Sequence, residues 1–165
     1  MTDKTGTLTQ NVMIMKFCGL GAEEIEAENI TKSVDTARAG SQIGYTAGMA
    51  LNKYEEKAMA LFTCIMVCHS VDPATDSNGK RVLESASPDE ISFIEYCEKL
   101  GFRLIDKTDQ KVIFTDPLTN RYEFEIIEIF NFTSARKRMG LITKYKGKII
   151  YFLKGADSTM VPFLK

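Results

Sequence analysis

The chain has 165 residues, of which 44% are hydrophobic and 26% charged, with a formal net charge of −1. That balance suits one globular domain with its own core, and it gives neither the basic excess of a general nucleic-acid binder nor an acidic tail. The longest apolar stretch, Ala58 to Val67, contains Thr63 and falls well short of the roughly 18–20 residues of a membrane helix. No apolar signal region follows Met1, so the chain is expected to be soluble, with any membrane part outside it.

Residues 1–18 carry a head rich in Gly and Thr, then an apolar run from Val12 to Phe17 that could form a strand. Residues 19–48 are rich in Gly, Ala, Ser, Thr and charge with weak periodicity. They read as a loose connection, partly helical near Ala22 to Ile30 and mobile from Ala39 to Gly48. Over residues 50–70, Leu51, Tyr54, Ala58, Leu61, Ile65 and Cys68 recur every three or four positions, which predicts a helix. Asp72-Pro73 and Ser77-Asn78-Gly79 mark residues 72–86 as loop and turn.

A second helix is expected to start at Ser87. Ser87-Pro88-Asp89-Glu90 supplies an N-cap hydroxyl, a proline at the first helical position and a glutamate at the capping-box position. Gly101 should end it. Beyond Gly101 the period becomes two, predicting strands at Phe102 to Asp106, Lys111 to Thr115, Tyr122 to Phe132, Arg138 to Tyr145 and Ile149 to Lys154. Pro117 to Asn120 and Lys146-Gly147 read as hairpin turns. Helices followed by a run of antiparallel strands make the fold class α+β, an antiparallel β-sheet flanked by helices.

The four cysteines, Cys18, Cys64, Cys68 and Cys97, form no CxxC pair and read as reduced thiols of a cytosolic protein. Cys64 and Cys68, four apart, share a helix face and with the adjacent His69 could hold a metal. With no fourth ligand evident, buried thiols are the better reading.

Four segments carry candidate chemistry. In Asp3-Lys4-Thr5-Gly6-Thr7-Leu8-Thr9 an aspartate could attack a γ-phosphate and become an acyl phosphate. Such a transfer asks for positioning and charge neutralisation, which Lys4, the two threonine hydroxyls and the bulk-free backbone at Gly6 could supply. A main-chain carbonyl near Asp3 could ligate Mg²⁺. The second segment is Ser87 to Glu90, which a capping box by itself would explain. In the third, Phe130 to Met139, an aromatic ring sits beside Arg136-Lys137-Arg138, a pairing suited to base stacking and phosphate contact, or to a plain strand end with solvated cations. The fourth is Lys154-Gly155-Ala156-Asp157 at a strand end, where a glycine would let a ligand come close to the lysine.

The seven-residue string from Asp3 to Thr9 matches the phosphorylation motif of P-type ATPases. Gln10-Asn11, Ser-Pro-Asp-Glu at 87–90, the stretch from Phe130 to Met139 and Lys-Gly-Ala-Asp at 154–157 resemble the type IV branch, the phospholipid flippases. The resemblance covers essentially the whole chain; one departure is Gly140, where many flippases have serine. It implies that Asp3 is the phosphorylated residue and that Lys4 and Thr5 contact the nucleotide phosphate. Asp3 and the Thr5 main chain would hold Mg²⁺. It also implies that Glu90 faces the adenine, Phe132 stacks on it, Ser134 and Lys137 line the pocket, and Lys154 lies deep within it.

The cofactors implied are ATP and Mg²⁺. The partners implied are ATP, the other domains of a parent ATPase, a phospholipid reached through membrane helices that this chain lacks, and an accessory subunit; nucleic acid is not among them. Residues 1–16 are expected to be a remnant of a phosphorylation domain and residues 17–165 the nucleotide-binding domain. The chain so read is a cytosolic part of an integral membrane protein that binds ATP but is inactive alone. The alternatives are a standalone nucleotide-binding or interaction module with a vestigial motif, and a domain of an ion-transporting P-type ATPase.

Overall fold

The structure is a computed structural model that describes residues 12–20, 23–28 and 55–164. Its centre is a five-stranded antiparallel sheet in simple meander order, β5 (Arg103–Lys107), β6 (Lys111–Thr115), β7 (Arg121–Phe130), β8 (Arg138–Tyr145) and β9 (Lys148–Gly155). Among the described residues two antiparallel hairpins precede it in the chain, β1 (Phe17–Leu20) with β2 (Glu23–Glu26), and β3 (Asp72–Thr75) with β4 (Arg81–Glu84). Helices α1 (Glu55–Val67) and α2 (Pro88–Lys99) touch each other, α1 running beside β9 and α2 beside β5. A short helix α3 (Asp157–Met160) follows β9. This is the antiparallel α+β arrangement that the change of period predicts.

Helix α1 is held by burial more than by polar pairing. Ala58, Phe62 and Met66, spaced four apart, are fully buried, and Leu61, Cys64 and Ile65 pack on the margin of that core. Helix α2 carries its own boundaries. The Ser87 hydroxyl accepts a hydrogen bond from the Glu90 amide at 3.5 Å, Pro88 opens the first turn, and Lys99 sits in the last, opposite Asp89 and Glu90 in the sense the helix dipole favours. At the far end Gly101 has φ 100°. Its amide donates to the Glu98 carbonyl at 3.0 Å and the Phe102 amide to the Cys97 carbonyl at 3.1 Å, a Schellman ending that needs glycine at the left-handed position.

The sheet buries its helix-facing side through an aromatic ladder. Phe62 meets Phe102 with ring centroids 5.6 Å apart, Phe114 stacks on Tyr122 at 4.9 Å and Phe124 on Tyr145 at 4.5 Å. Each such pair adds to the area term for burying large apolar side chains. The two-residue turn at Lys146 (φ 48°) and Gly147 (φ 78°) has the positive dihedrals whose twist matches a tight hairpin. The β6–β7 turn is tied by buried Asp116, whose carboxylate accepts from the Leu118 and Asn120 amides and from the Tyr122 hydroxyl.

Several expectations need correction. Residues 72–86 are not plain loop: they form the β3–β4 hairpin around a turn where Asp76 accepts from the Asn78 and Lys80 amides. Asp72-Pro73 hid it, because proline is tolerated on a short two-stranded ribbon. The segment read as partly helical near Ala22 to Ile30 carries strand β2 at Glu23–Glu26 and is helical at Ala27 and Glu28; Ala22, Asn29 and Ile30 lie outside the described residues. The strand expected from Val12 starts only at Phe17, and β7 ends at Phe130 rather than Phe132, leaving Phe132 in a loop. The mobile segment expected from Ala39 to Gly48 lies outside the described residues, as do Asp3, Lys4 and Thr5.

Candidate functional site

A cleft of about 830 Å³ opens where the N-terminus of α2, the middle of α1 and the end of β9 converge. Leu61, Cys64 and Ile65 of α1 give it an apolar wall, with Met139 of β8 beside them. Glu90 and Phe93 enter from α2, Leu153 and Lys154 from β9, and Asn131 and Phe132 from the β7–β8 connection. The β1 hairpin closes one side with Phe17 and Cys18. The size and the mix, mostly apolar with a few convergent charges, match a small-molecule site.

Two of the charges lining the cleft, Glu90 and Lys154, are paired. Lys154 Nζ lies 2.5 Å from both carboxylate oxygens of Glu90 and 6.0 Å from the centroid of the Phe93 ring. The side chains are 22% and 16% exposed. Glu90 Oε2 also accepts from the Ser70 amide at 3.2 Å. In a full capping box this carboxylate would turn back to the Ser87 amide. Here only the serine half of the box is made: the Ser87 amide donates instead to Ser85 Oγ at 3.2 Å, and the carboxylate faces the cleft.

Phe132 stands 62% exposed at the rim, an aromatic face that water covers. Ser134 and Lys137 do not reach the cleft. They belong to an exposed turn in which the Thr133 carbonyl accepts from the Arg136 and Lys137 amides. Lys137 has φ 50° and offers its carbonyl to the Ala156 amide at 3.1 Å, so its backbone braces the end of β9. Arg136 reaches the Asn131 carbonyl, and Arg138 lies 5.2 Å from the Phe163 ring centroid.

Gly155 has a packing purpose that the sequence does not suggest. A Cβ there would meet the Lys137 carbonyl and Arg138 Cβ at 2.7 Å, so glycine is needed for close approach of the neighbouring strand, at a position that also lines the cleft. A Cβ at Gly140 would meet the Tyr151 hydroxyl at 2.7 Å; that tyrosine occupies the space a serine would need.

The thiols near the cleft are poorly suited to react. Burial raises the Cys64 thiol, an effect the nearby Lys154 charge only partly opposes, and burial pushes Cys68 up to about 12. His69 is buried and held down to about 3 by desolvation, with the Lys107 and Lys154 charges adding to the shift. Its Nδ1 accepts from the Val71 amide at 3.0 Å and its Nε2 lies 3.0 Å from the Met66 carbonyl, so the proton is on Nε2. Both ring nitrogens are committed, and among the described residues no group of three His, Cys, Asp or Glu is arranged to hold a metal.

Sequence reasoning missed Phe93, Cys64 and Met139 as cleft residues. Phe93 follows Glu90 by three positions on α2, so helical spacing alone would have put it on the same face. Nothing local marks the contribution of the β1 hairpin.

The family model for the P-type ATPase cytoplasmic domain N matches residues 57–162. Among curated proteins, the phospholipid-transporting ATPase neo1 of Schizosaccharomyces pombe is 35% identical over all of this chain and 15% of its own length. The probable phospholipid-transporting ATPase tat-5 of Caenorhabditis elegans is 31% identical over 97% of this chain and 15% of its own. The phospholipid-transporting ATPase DRS2 of Saccharomyces cerevisiae is 29% identical over 97% of this chain and 12% of its own. The chain thus spans about one seventh of the length of these relatives. With the helix-flanked antiparallel sheet and the motif order of the sequence, these matches give one conclusion: the chain belongs to the P-type ATPases as their cytoplasmic domain N, on the type IV branch.

Proposed function

We propose that this chain is the ATP-binding domain of a phospholipid-translocating P-type ATPase, and that the cleft between α1, α2 and β9 receives the adenosine of ATP. The observation that carries the reading is the Glu90–Lys154 pair on the floor of an apolar cleft with the exposed Phe132 ring at its rim. A base can lie against Phe132 while its exocyclic amine donates to the Glu90 carboxylate. Lys154 supplies a cation where the ring nitrogens or phosphate oxygens approach. The donor set therefore fits a nucleoside, with Leu61, Ile65 and Met139 excluding water behind it. Ser134 and Lys137, on the turn next to Phe132, would approach the phosphate end rather than the base.

In the parent protein Asp3 would take the γ-phosphoryl group, with Lys4 and Thr5 at the phosphate and Mg²⁺ held by Asp3 and the Thr5 main chain; that chemistry supplies charge neutralisation at the transferred group. Residues 17–165 would be the nucleotide-binding domain and residues 1–16 a remnant of the phosphorylation domain. The parent would span a membrane and move phospholipid between leaflets, with its other domains and an accessory subunit as partners. No helix among the described residues is long and apolar enough to cross a membrane.

The test is an ATP titration by calorimetry on wild type and Phe132→Ala. Stacking of a base on an aromatic ring contributes about 1–3 kcal/mol, so removing the ring should weaken ATP by roughly 5- to 150-fold. The exposed ring contributes little to folding, so melting should hardly move. Equal affinity in the two proteins would refute the pocket assignment.

A further inference from the structure

We infer that Ser85 is a positioning residue for ATP, acting through Glu90; this rests on the nucleotide reading above. Two groups compete at the start of α2. The Ser87 amide needs an acceptor, and the glutamate three residues on is the usual one. Glu90 cannot both turn back to that amide and project into the cleft.

Ser85, at the end of β4, resolves the competition. Its hydroxyl accepts the Ser87 amide at 3.2 Å and hydrogen-bonds with Ser70 Oγ at 3.1 Å. One side chain thus satisfies the helix start and ties it to the loop after α1. That loop carries the Ser70 amide, which donates to Glu90 Oε2 at 3.2 Å. The loop is itself fixed, because the His69 ring bridges the Met66 carbonyl and the Val71 amide on either side of Ser70. The Glu90 carboxylate is therefore released from capping by Ser85 and aimed at Lys154 by the Ser70 amide. Without the Ser85 hydroxyl the Ser87 amide would lose that acceptor, and the acceptor a capping box supplies in its place is the Glu90 carboxylate. A carboxylate that turns back to the cap leaves Lys154 and the site where an exocyclic amine would donate.

The experiment uses the 165-residue chain as wild type, Ser85→Ala and Ser85→Thr. Two ligands are titrated, ATP and purine riboside triphosphate, which lacks the 6-amino group. Amide shifts and hydrogen exchange of Ser70 and Ser87 are followed in nucleotide-free protein. In Ser85→Ala, ATP should bind roughly three- to tenfold more weakly, the loss expected when one oriented hydrogen bond is no longer made. Purine riboside triphosphate should bind nearly unchanged, the Ser70 amide should exchange faster, and Ser85→Thr should restore both readouts.

A lower melting temperature with unchanged ATP affinity and an unchanged Ser70 amide would make Ser85 only a helix cap and overturn the inference. Equal losses for both nucleotides would also overturn it, because the effect would then not pass through Glu90. If wild type binds no ATP, the nucleotide reading and the inference built on it both fall.

Discussion

Substituting Glu90→Gln and Lys154→Met, singly and together, measures how strongly the cleft floor is held. Nζ lies 2.5 Å from both carboxylate oxygens, and the two side chains are 16% and 22% exposed. Such a pair lies between two limits. Exposed pairs contribute less than about 1 kcal/mol, and breaking a dry pair by removing one partner costs about 3–5 kcal/mol. Partial solvation places the coupling here at about 1–2 kcal/mol. Glu90→Gln keeps an oxygen for the Ser70 amide, so its loss is chiefly one of charge. Lys154→Met keeps most of the apolar stem but leaves the carboxylate facing the apolar wall of α1, and should be the more damaging single change. Urea denaturation at pH 7 gives the four stabilities of the cycle, in low salt and again in 1 M NaCl. Salt should reduce the coupling without abolishing it, since partly buried charges are screened less than exposed ones. A coupling below about 0.3 kcal/mol, the usual scatter of additivity, would refute the view that this pair holds the helix start against the end of β9.

Two further predictions concern stability alone. Gly155→Ala forces a Cβ against backbone and should cost about 1–3 kcal/mol. Gly140→Ala meets only the movable end of the half-exposed Tyr151 side chain and should cost less than about 1 kcal/mol; thermal melts of the two variants that show the opposite order would contradict the packing described. His69 is neutral down to about pH 3 in the folded chain but takes up a proton near pH 6.5 when unfolded. Between those values the unfolded state holds more protons, so stability is full above about pH 6.5 and falls as pH drops. Denaturation midpoints between pH 6 and 5 should show a loss approaching about 1.4 kcal/mol per unit from this group, and His69→Gln should flatten that slope.

Local signals carried much of this protein. The cap at Ser87-Pro88, the stop at Gly101, the turn at Lys146-Gly147 and strand β8 from Arg138 to Tyr145 all follow from rules that act within a few residues, through backbone dihedrals and side-chain alternation. The motif strings did the same for the family. Strands β2, β3 and β4 were not legible, because four-residue ribbons acquire their identity from cross-strand pairing and from what they pack against.

The same division runs through the site. Glu90, Phe132 and Lys154 were marked as candidates by residue type and by resemblance, and the fold brings all three to one cleft. Ser134 and Lys137 were marked on the same grounds and lie on an outer turn, since a string of residues says nothing of which side of a loop faces inward. Whether Glu90 caps its helix or faces the cleft is decided by Ser70 and Ser85, which are 20 and 5 residues away in the chain. That Gly155 must make room for a neighbouring strand is decided by Lys137 and Arg138. By itself the sequence determined helix α2 with its caps, the strands of the five-stranded sheet and the chemical kinds of group available. Only the tertiary structure decided which of those groups meet, because hydrogen bonds and ion pairs act over a few ångströms and the partners at that range come from distant parts of the chain.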